Sequence, residues 1–174
     1  MNGTPYHEIK TIIYQDIFFL LFAFYGTYCL RNNFNEESLF NFLFIIIICI
    51  STDIGGYIFG KTFKGPKLIN ISPNKTYAGV VGSFLFSLIA GFTYLKYLSI
   101  YYSNIIKMDQ LFVLLYILFI SFVSQIGDLI ISYFKRKAKL KDTGKLLPGH
   151  GGLLDRIDGL IFVLPMIYFL QLIK

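Results

Sequence analysis

Three carboxylates stand close to the densest run of cations in the chain. Asp128 lies in the apolar segment SQIGDLII, and Asp155 and Asp158 flank Arg156 and Ile157 in LLDRIDG. Between them runs Ser132 to Asp158, SYFKRKAKLKDTGKLLPGHGGLLDRID. It carries seven of the sixteen basic residues: Lys135, Arg136, Lys137, Lys139, Lys141, Lys145 and Arg156. It also carries Asp142 and a glycine-rich turn, Pro148-Gly149-His150-Gly151-Gly152. Carboxylate oxygens suit a hard divalent cation, and ammonium and guanidinium groups suit phosphate oxygens. Gly151 and Gly152 let backbone N–H groups approach an anion. The chemistry such a set supports is the handling of phosphate with a metal.

Each residue has a plainer reading beside this one. A charged group at the centre of a membrane helix costs roughly 2.5–3.5 kcal/mol. Asp128 therefore needs a reason to be where it is. At helical spacing Ser121, Ser124 or Gln125, Asp128 and Ser132 share one face, which is either a path into the basic segment or a structural polar seam. If the last apolar segment is helical from its start, Asp155 and Asp158 lie at i and i+3 on one face. With Asp128 from a neighbouring helix they would hold Mg2+; the alternative is an acid-rich helix start favoured by the macrodipole. The lysines have a topological explanation in any membrane protein. His150 reads as a base, as a donor to phosphate, or as a structural histidine.

A second constellation is Ser72-Pro73-Asn74-Lys75-Thr76, at the end of a basic loop and the start of an apolar run. Hydroxyls and an ammonium there suit an anion at a helix N-terminus; an ordinary Ser/Thr cap is the alternative. Asp53 is another acid at an apolar boundary, suited to pairing with a lysine. Gly56 and Gly60, like Ala78 and Gly82, have the small-xxx-small spacing of closely packed helices.

These residues need a scaffold, and composition says which. The chain has 174 residues, 55% of them hydrophobic, and only 15% charged. That is too much apolar surface for a soluble domain to hide. The expected fold is all-α: one integral-membrane domain over residues 1–174, with about five transmembrane helices. The spans read as Ile12–Leu30, Leu39–Phe59, Thr76–Tyr97, Gln110–Ile131, and a last one ending at Ile173 that starts near Leu153. The first has no small-residue cleavage site and reads as retained. Pro66 and Pro73 interrupt helix in the loop Lys61–Lys75. Cys29 and Cys49 sit apart in apolar runs and read as buried thiols.

Five spans put loops 61–75 and 132–156 on the side of the N-terminus. That side then holds all but Arg31, Lys96, Lys107 and Lys174 of the sixteen cations. The bias predicts that both basic loops are cytoplasmic, in the inner or plasma membrane of a bacterial cell. The formal charge of +6 points to anionic lipid head groups or a nucleoside triphosphate, and not to nucleic acid. The oligomeric state stays open, a homodimer included.

The stretch Ser132–Asp158, written S-Y-F-K-R-x4-K-D-x-G-x2-L-P-x-H-G-G-L-x-D-R-I-D, resembles the signature of the CDP-diacylglycerol synthases, or phosphatidate cytidylyltransferases. STDIGGYIFGKTFKGPKLINISPNKTYAGVVGS is similar to that family's upstream segment, and SQIGDL to its third patch. Together these reach from Ser51 to Gly159. Members of the family usually carry more spans on the N-terminal side, where this chain is short. The resemblance implies transfer of a cytidylyl group from CTP to phosphatidic acid, yielding CDP-diacylglycerol and pyrophosphate, with Mg2+ required. It implies Asp128, Asp155 and Asp158 as metal ligands, and Asp128, Asp155, Lys135, Arg136 and His150 in catalysis. It implies Ser72, Lys75, Thr76, Ser132, Lys141, Gly151, Gly152 and Arg156 in substrate binding. The alternatives are the same chemistry on an archaeol-type or polyprenyl phosphate, or a shortened, non-catalytic relic. A CDP-alcohol phosphotransferase is disfavoured because its D-G-x2-A-R pattern is missing. A transporter is disfavoured because the halves show no symmetry.

Overall fold

The computed structural model describes residues 21, 23–31, 36–69, 72–101, 109–137 and 158–173. Five helices and one small hairpin make up these residues. Helix α1 covers residues 23–31, and α2 runs over Glu36–Phe63. Strands β1 (Lys67–Ile69) and β2 (Ser72–Thr76) follow, then α3 (Tyr77–Tyr101), α4 (Gln110–Lys137) and α5 (Asp158–Ile173). The expected all-α membrane bundle is the fold observed. Within it Ser38–Phe63, Tyr77–Ile100 and Gln110–Phe134 are long and apolar enough to cross a membrane. The apolar part of α5, Gly159–Gln171, is shorter. Residues 12–20, 102–108, 138–157 and 174 lie outside the described residues. Most of the first span, Asp155 and the glycine-rich turn therefore do too.

Helices α2 and α3 approach closely because glycines line their crossing. A Cβ built on Gly82 would stand 2.7 Å from the Gly55 carbonyl oxygen, and one on Gly79 would stand 2.9 Å from that of Gly56. No side chain fits there, so backbone meets backbone. The expected packing role of Gly56, Gly60 and Gly82 holds, and Gly55 and Gly79 belong to the same contact. A core of Phe44, Ile45, Ile48, Ile117, Ile120 and Val163 joins α2, α4 and α5. Gly26 of α1 lies against the backbone of Pro165 in α5. The outward faces carry residues such as Ile89, Ile100 and Leu111, all strongly exposed. Exposure of that kind suits hydrocarbon and not water.

The loop after α2 is more ordered than its prolines suggest. Lys64 ends α2 in the left-handed region, with φ 42°. That conformation stops helices, although glycine adopts it more readily. The chain then forms an antiparallel pair, with Lys67 opposite Thr76, Ile69 opposite Ser72, and a register shift between. Pro73 is tolerated because a two-stranded ribbon has only edges. The Pro66 carbonyl accepts the Tyr77 N–H at 3.2 Å, which ties the loop to the start of α3.

Candidate functional site at one end of the bundle

The end of α2, the hairpin, the start of α3, the last turns of α4 and the start of α5 all gather at one end. Contacts across the described elements fix this arrangement. Lys75 of β2 reaches Asp128 of α4, and Gly159 of α5 packs on Ser124 of α4. The end of α4 at Lys137 and the start of α5 at Asp158 thus lie at the same end as the hairpin.

The centre of the site is the ion pair. Lys75 Nζ lies 3.3 Å from Asp128 Oδ2, and the two side chains are 29% and 25% exposed. Both groups are half-shielded, which suits charges that must stay within reach of a ligand. Helix position explains Asp128. Helix α4 continues nearly two turns past the expected end at Ile131, to Lys137, so Asp128 stands within regular helix, nine residues before its end. The strand explains Lys75, since β2 ends one residue before α3 and turns its ammonium toward α4.

Deeper in, hydroxyls cross-link the helices. The Thr52 hydroxyl donates to the Ile48 carbonyl at 2.8 Å and shares a hydrogen bond with Ser121 Oγ at 3.1 Å. Ser83 of α3 donates to the Thr52 carbonyl at 2.8 Å. Gln125 Nε2 donates to Ser121 Oγ at 3.4 Å. The expected stripe on α4 therefore divides in two. Ser121 is buried and structural, as in the seam alternative, while Asp128 opens to the site. Thr52 and Ser83 were the residues that sequence reasoning left without a role. Their signal was a hydroxyl inside an apolar run, which must find a partner across a helix interface.

The remaining candidates fall as follows. Thr76 caps α3: its Oγ1 accepts the Gly79 N–H at 3.1 Å, the ordinary role for that residue type. Ser72 lies in β2. Ser132 is half-buried, and Arg136 is exposed; both belong to α4, as does Lys135, so the basic segment begins as helix and not as loop. Asp158 is the first residue of α5. Lys141, His150, Gly151, Gly152, Asp155 and Arg156 lie outside the described residues. Asp53 is exposed on α2, next to the buried Thr52. Cys49 is buried and Cys29 half-buried, and both are free thiols.

No group of three or more His, Cys, Asp or Glu gathers among the described residues. The donor chemistry nevertheless fits Mg2+. Asp128 offers one hard carboxylate, partly exposed beside Lys75, and α5 starts beside the turn that precedes it.

Known proteins resemble this sequence. The profile of the cytidylyltransferase family matches residues 4–173. A phosphatidate cytidylyltransferase of Bacillus subtilis (strain 168) is 36% identical over 170 residues, covering 92% of this chain and 60% of the relative. One of Rickettsia bellii (strain RML369-C) is 37% identical over 135 residues, covering 75% of this chain and 58% of the relative. One of Staphylococcus saprophyticus is 43% identical over 137 residues, covering 78% of this chain and 50% of the relative. This chain spans between half and three-fifths of the length of these curated relatives.

Proposed function

The chain belongs to the cytidylyltransferase family, and from that premise we propose that it transfers a cytidylyl group from CTP to phosphatidic acid. The observation that carries the reading is the Lys75–Asp128 pair, at the bundle end shared by the hairpin and the last turns of α4. A lipid acceptor also accounts for a nucleotidyltransferase built as a membrane bundle, because its acceptor stays in the bilayer.

In this reaction a phosphate oxygen of phosphatidic acid attacks the α-phosphorus of CTP. A new P–O bond forms, the bond to the bridging oxygen breaks, and pyrophosphate leaves with its electron pair. Such transfer depends on in-line positioning and on neutralising charge, more than on a covalent nucleophile. Lys75 is placed to release Asp128 and meet a phosphate oxygen. Lys135, Arg136, Lys141 and Arg156 neutralise the triphosphate and the leaving pyrophosphate. Ser72, Thr76, Ser132 and the N–H groups of Gly151 and Gly152 orient phosphate oxygens. His150 donates a hydrogen bond to phosphate or holds a proton near it. Asp128, Asp155 and Asp158 would hold Mg2+, which would offset the charge that develops on the phosphate oxygens.

The test is turnover. Purified protein with labelled CTP, phosphatidate and Mg2+ should form CDP-diacylglycerol. Asp155→Asn should abolish this while the variant still inserts in the membrane. Protein inert with phosphatidate, archaeol-type and polyprenyl phosphates alike would point to the relic, and a fully active Asp155→Asn would remove Asp155 from the metal site.

A further inference from the structure

Helices α4 and α5 meet through two glycines, and each glycine is next to an acid in the sequence. Gly127 precedes Asp128 on α4, and Gly159 follows Asp158, the first residue of α5. A Cβ on Gly127 would stand 3.0 Å from Phe162 Cβ and 2.9 Å from its Cδ2, where ordinary contact begins at 3.4 Å. Turning the Phe162 ring cannot relieve this, because its Cβ is fixed to the α5 backbone. A Cβ on Gly159 would run into Ser124 Oγ, and would stand 3.4 Å from both the Cβ and the carbonyl oxygen of Ser124. A methyl group at either position therefore presses α5 away from α4.

This crossing lies at the candidate site. Ser124 is one turn before Asp128 on the same face of α4, about 6 Å along the axis. Gly159 rests on Ser124, so α5 begins within about a turn of Asp128, and the backbone of Asp158 adjoins that contact. Two elements that each carry an acid are thus held with no side chain of Gly127 or Gly159 between them. Small cations are exacting about such a spacing. Mg2+ demands near-octahedral ligands at about 2.0–2.1 Å, whereas Ca2+ accepts about 2.3–2.6 Å and looser geometry. A few tenths of an ångström separate the two.

We propose that Gly127 and Gly159 are positioning residues. They fix the start of α5 against the Asp128 turn of α4, and so set the size of cation that Asp128 and Asp158 accept together. This rests on the proposed metal role of the two acids, and extends it to the residues that space them. The glycines act through the acids and not on the ion.

Cation binding tests it without turnover. Mn2+ added to the purified protein in detergent loses its free-ion paramagnetic resonance signal when bound, and Mg2+ or Ca2+ then displaces it. Gly127→Ala should weaken displacement by Mg2+ about tenfold, the scale for disturbing the groups behind a metal ligand. Displacement by Ca2+ should weaken much less, so the preference for Mg2+ falls. Gly159→Ala should act in the same direction to a smaller extent, and Ser124→Ala should cancel its effect by removing the clashing oxygen. Alone, Ser124→Ala should be near neutral. Its hydroxyl is fully buried with no nitrogen or oxygen partner among the described residues, and has only the weakly bonding Cys49 thiol beside it. It should not rescue Gly127→Ala, whose clash is with Phe162. Gly91→Ala controls for a general loosening of the bundle. It crowds Ile117 Cγ1 at 3.0 Å in the α3–α4 contact, about 16 Å along α4 from Asp128. It should lower thermal stability and leave the preference unmoved.

Glycine variants that lose stability but keep the preference for Mg2+ overturn the inference, because the glycines then serve packing alone. So does a shift in Gly91→Ala as large as that in Gly127→Ala. If Gly127→Ala does not fold, Gly159→Ala with and without Ser124→Ala decides. Mn2+ binding that Asp128→Asn leaves intact, or no binding at all, removes the metal reading and the positioning with it. Binding that is lost in Asp128→Asn but unmoved by either glycine variant removes only the positioning.

Discussion

At 3.3 Å the Lys75 ammonium and the Asp128 carboxylate largely cancel each other's field at the polar end of the bundle. Each charge would be hard to hold alone near hydrocarbon, and together they are tolerable. A pair so accessible is worth little to stability, on the order of 1 kcal/mol or less. If it exists only to hold helices together, Lys75→Met should lower stability by about that amount and change nothing else. If Lys75 meets phosphate, the same substitution should reduce cytidylyl transfer by about 100-fold, the scale for losing one charge-stabilising donor. Thermal unfolding and turnover on one preparation separate the two. Both residues were legible from the chain alone, Asp128 as an acid in an apolar run and Lys75 as the cation of a Ser-Pro-x-Lys-Thr motif. That they touch was not, because pairing across helices depends on where α4 ends and how the hairpin turns.

The elements were legible where periodicity or composition dominates. The spans over α2, α3 and α4 follow from unbroken apolar runs, and the small-xxx-small spacing anticipated the α2–α3 crossing. What was missed is where tertiary geometry overrides local signals. The hairpin was hidden because Pro66 and Pro73 read as breakers, while a two-stranded ribbon accommodates both. The last turns of α4 were hidden because Lys135 and Arg136 read as loop charge, although lysine and arginine are good helix formers. The crossing makes a sharp prediction. Gly82→Val puts a side chain against Phe59 and the Gly55 carbonyl, and should destabilise the bundle by about 1–3 kcal/mol. Gly65→Ala meets the Ala78 Cβ at 3.5 Å and its backbone N at 3.7 Å, both ordinary contacts, and should be near neutral. Denaturation of both variants in the same detergent checks the contrast. Equal losses would mean that the glycines serve the loop and not the crossing.

For the whole molecule, one asymmetry bears on which side of the membrane the site would face. The hairpin and the last turns of α4 share one end of the bundle, so the cations of both segments add up there. Helix α3 ends and α4 begins at the other end, where the Asp109 carbonyl accepts the Val113 N–H at 3.0 Å. Helix α2 alone, with an apolar stretch of 26 residues, is long enough to hold the two ends on opposite membrane faces. Lysine and arginine remain on the cytoplasmic side during insertion, so the end with the ion pair is expected to face the cytoplasm, where nucleoside triphosphate is found. Cysteine labelling tests this with residues exposed at either end. In inside-out vesicles a membrane-impermeant maleimide should modify Lys67→Cys and Arg136→Cys. In intact cells it should modify Asp109→Cys instead. The unsubstituted protein sets the background, since Cys49 is buried and Cys29 half-buried. The reverse pattern would place the ion pair away from cytosolic nucleotide, and the cytidylyl donor would then have to be sought on the other side of the membrane.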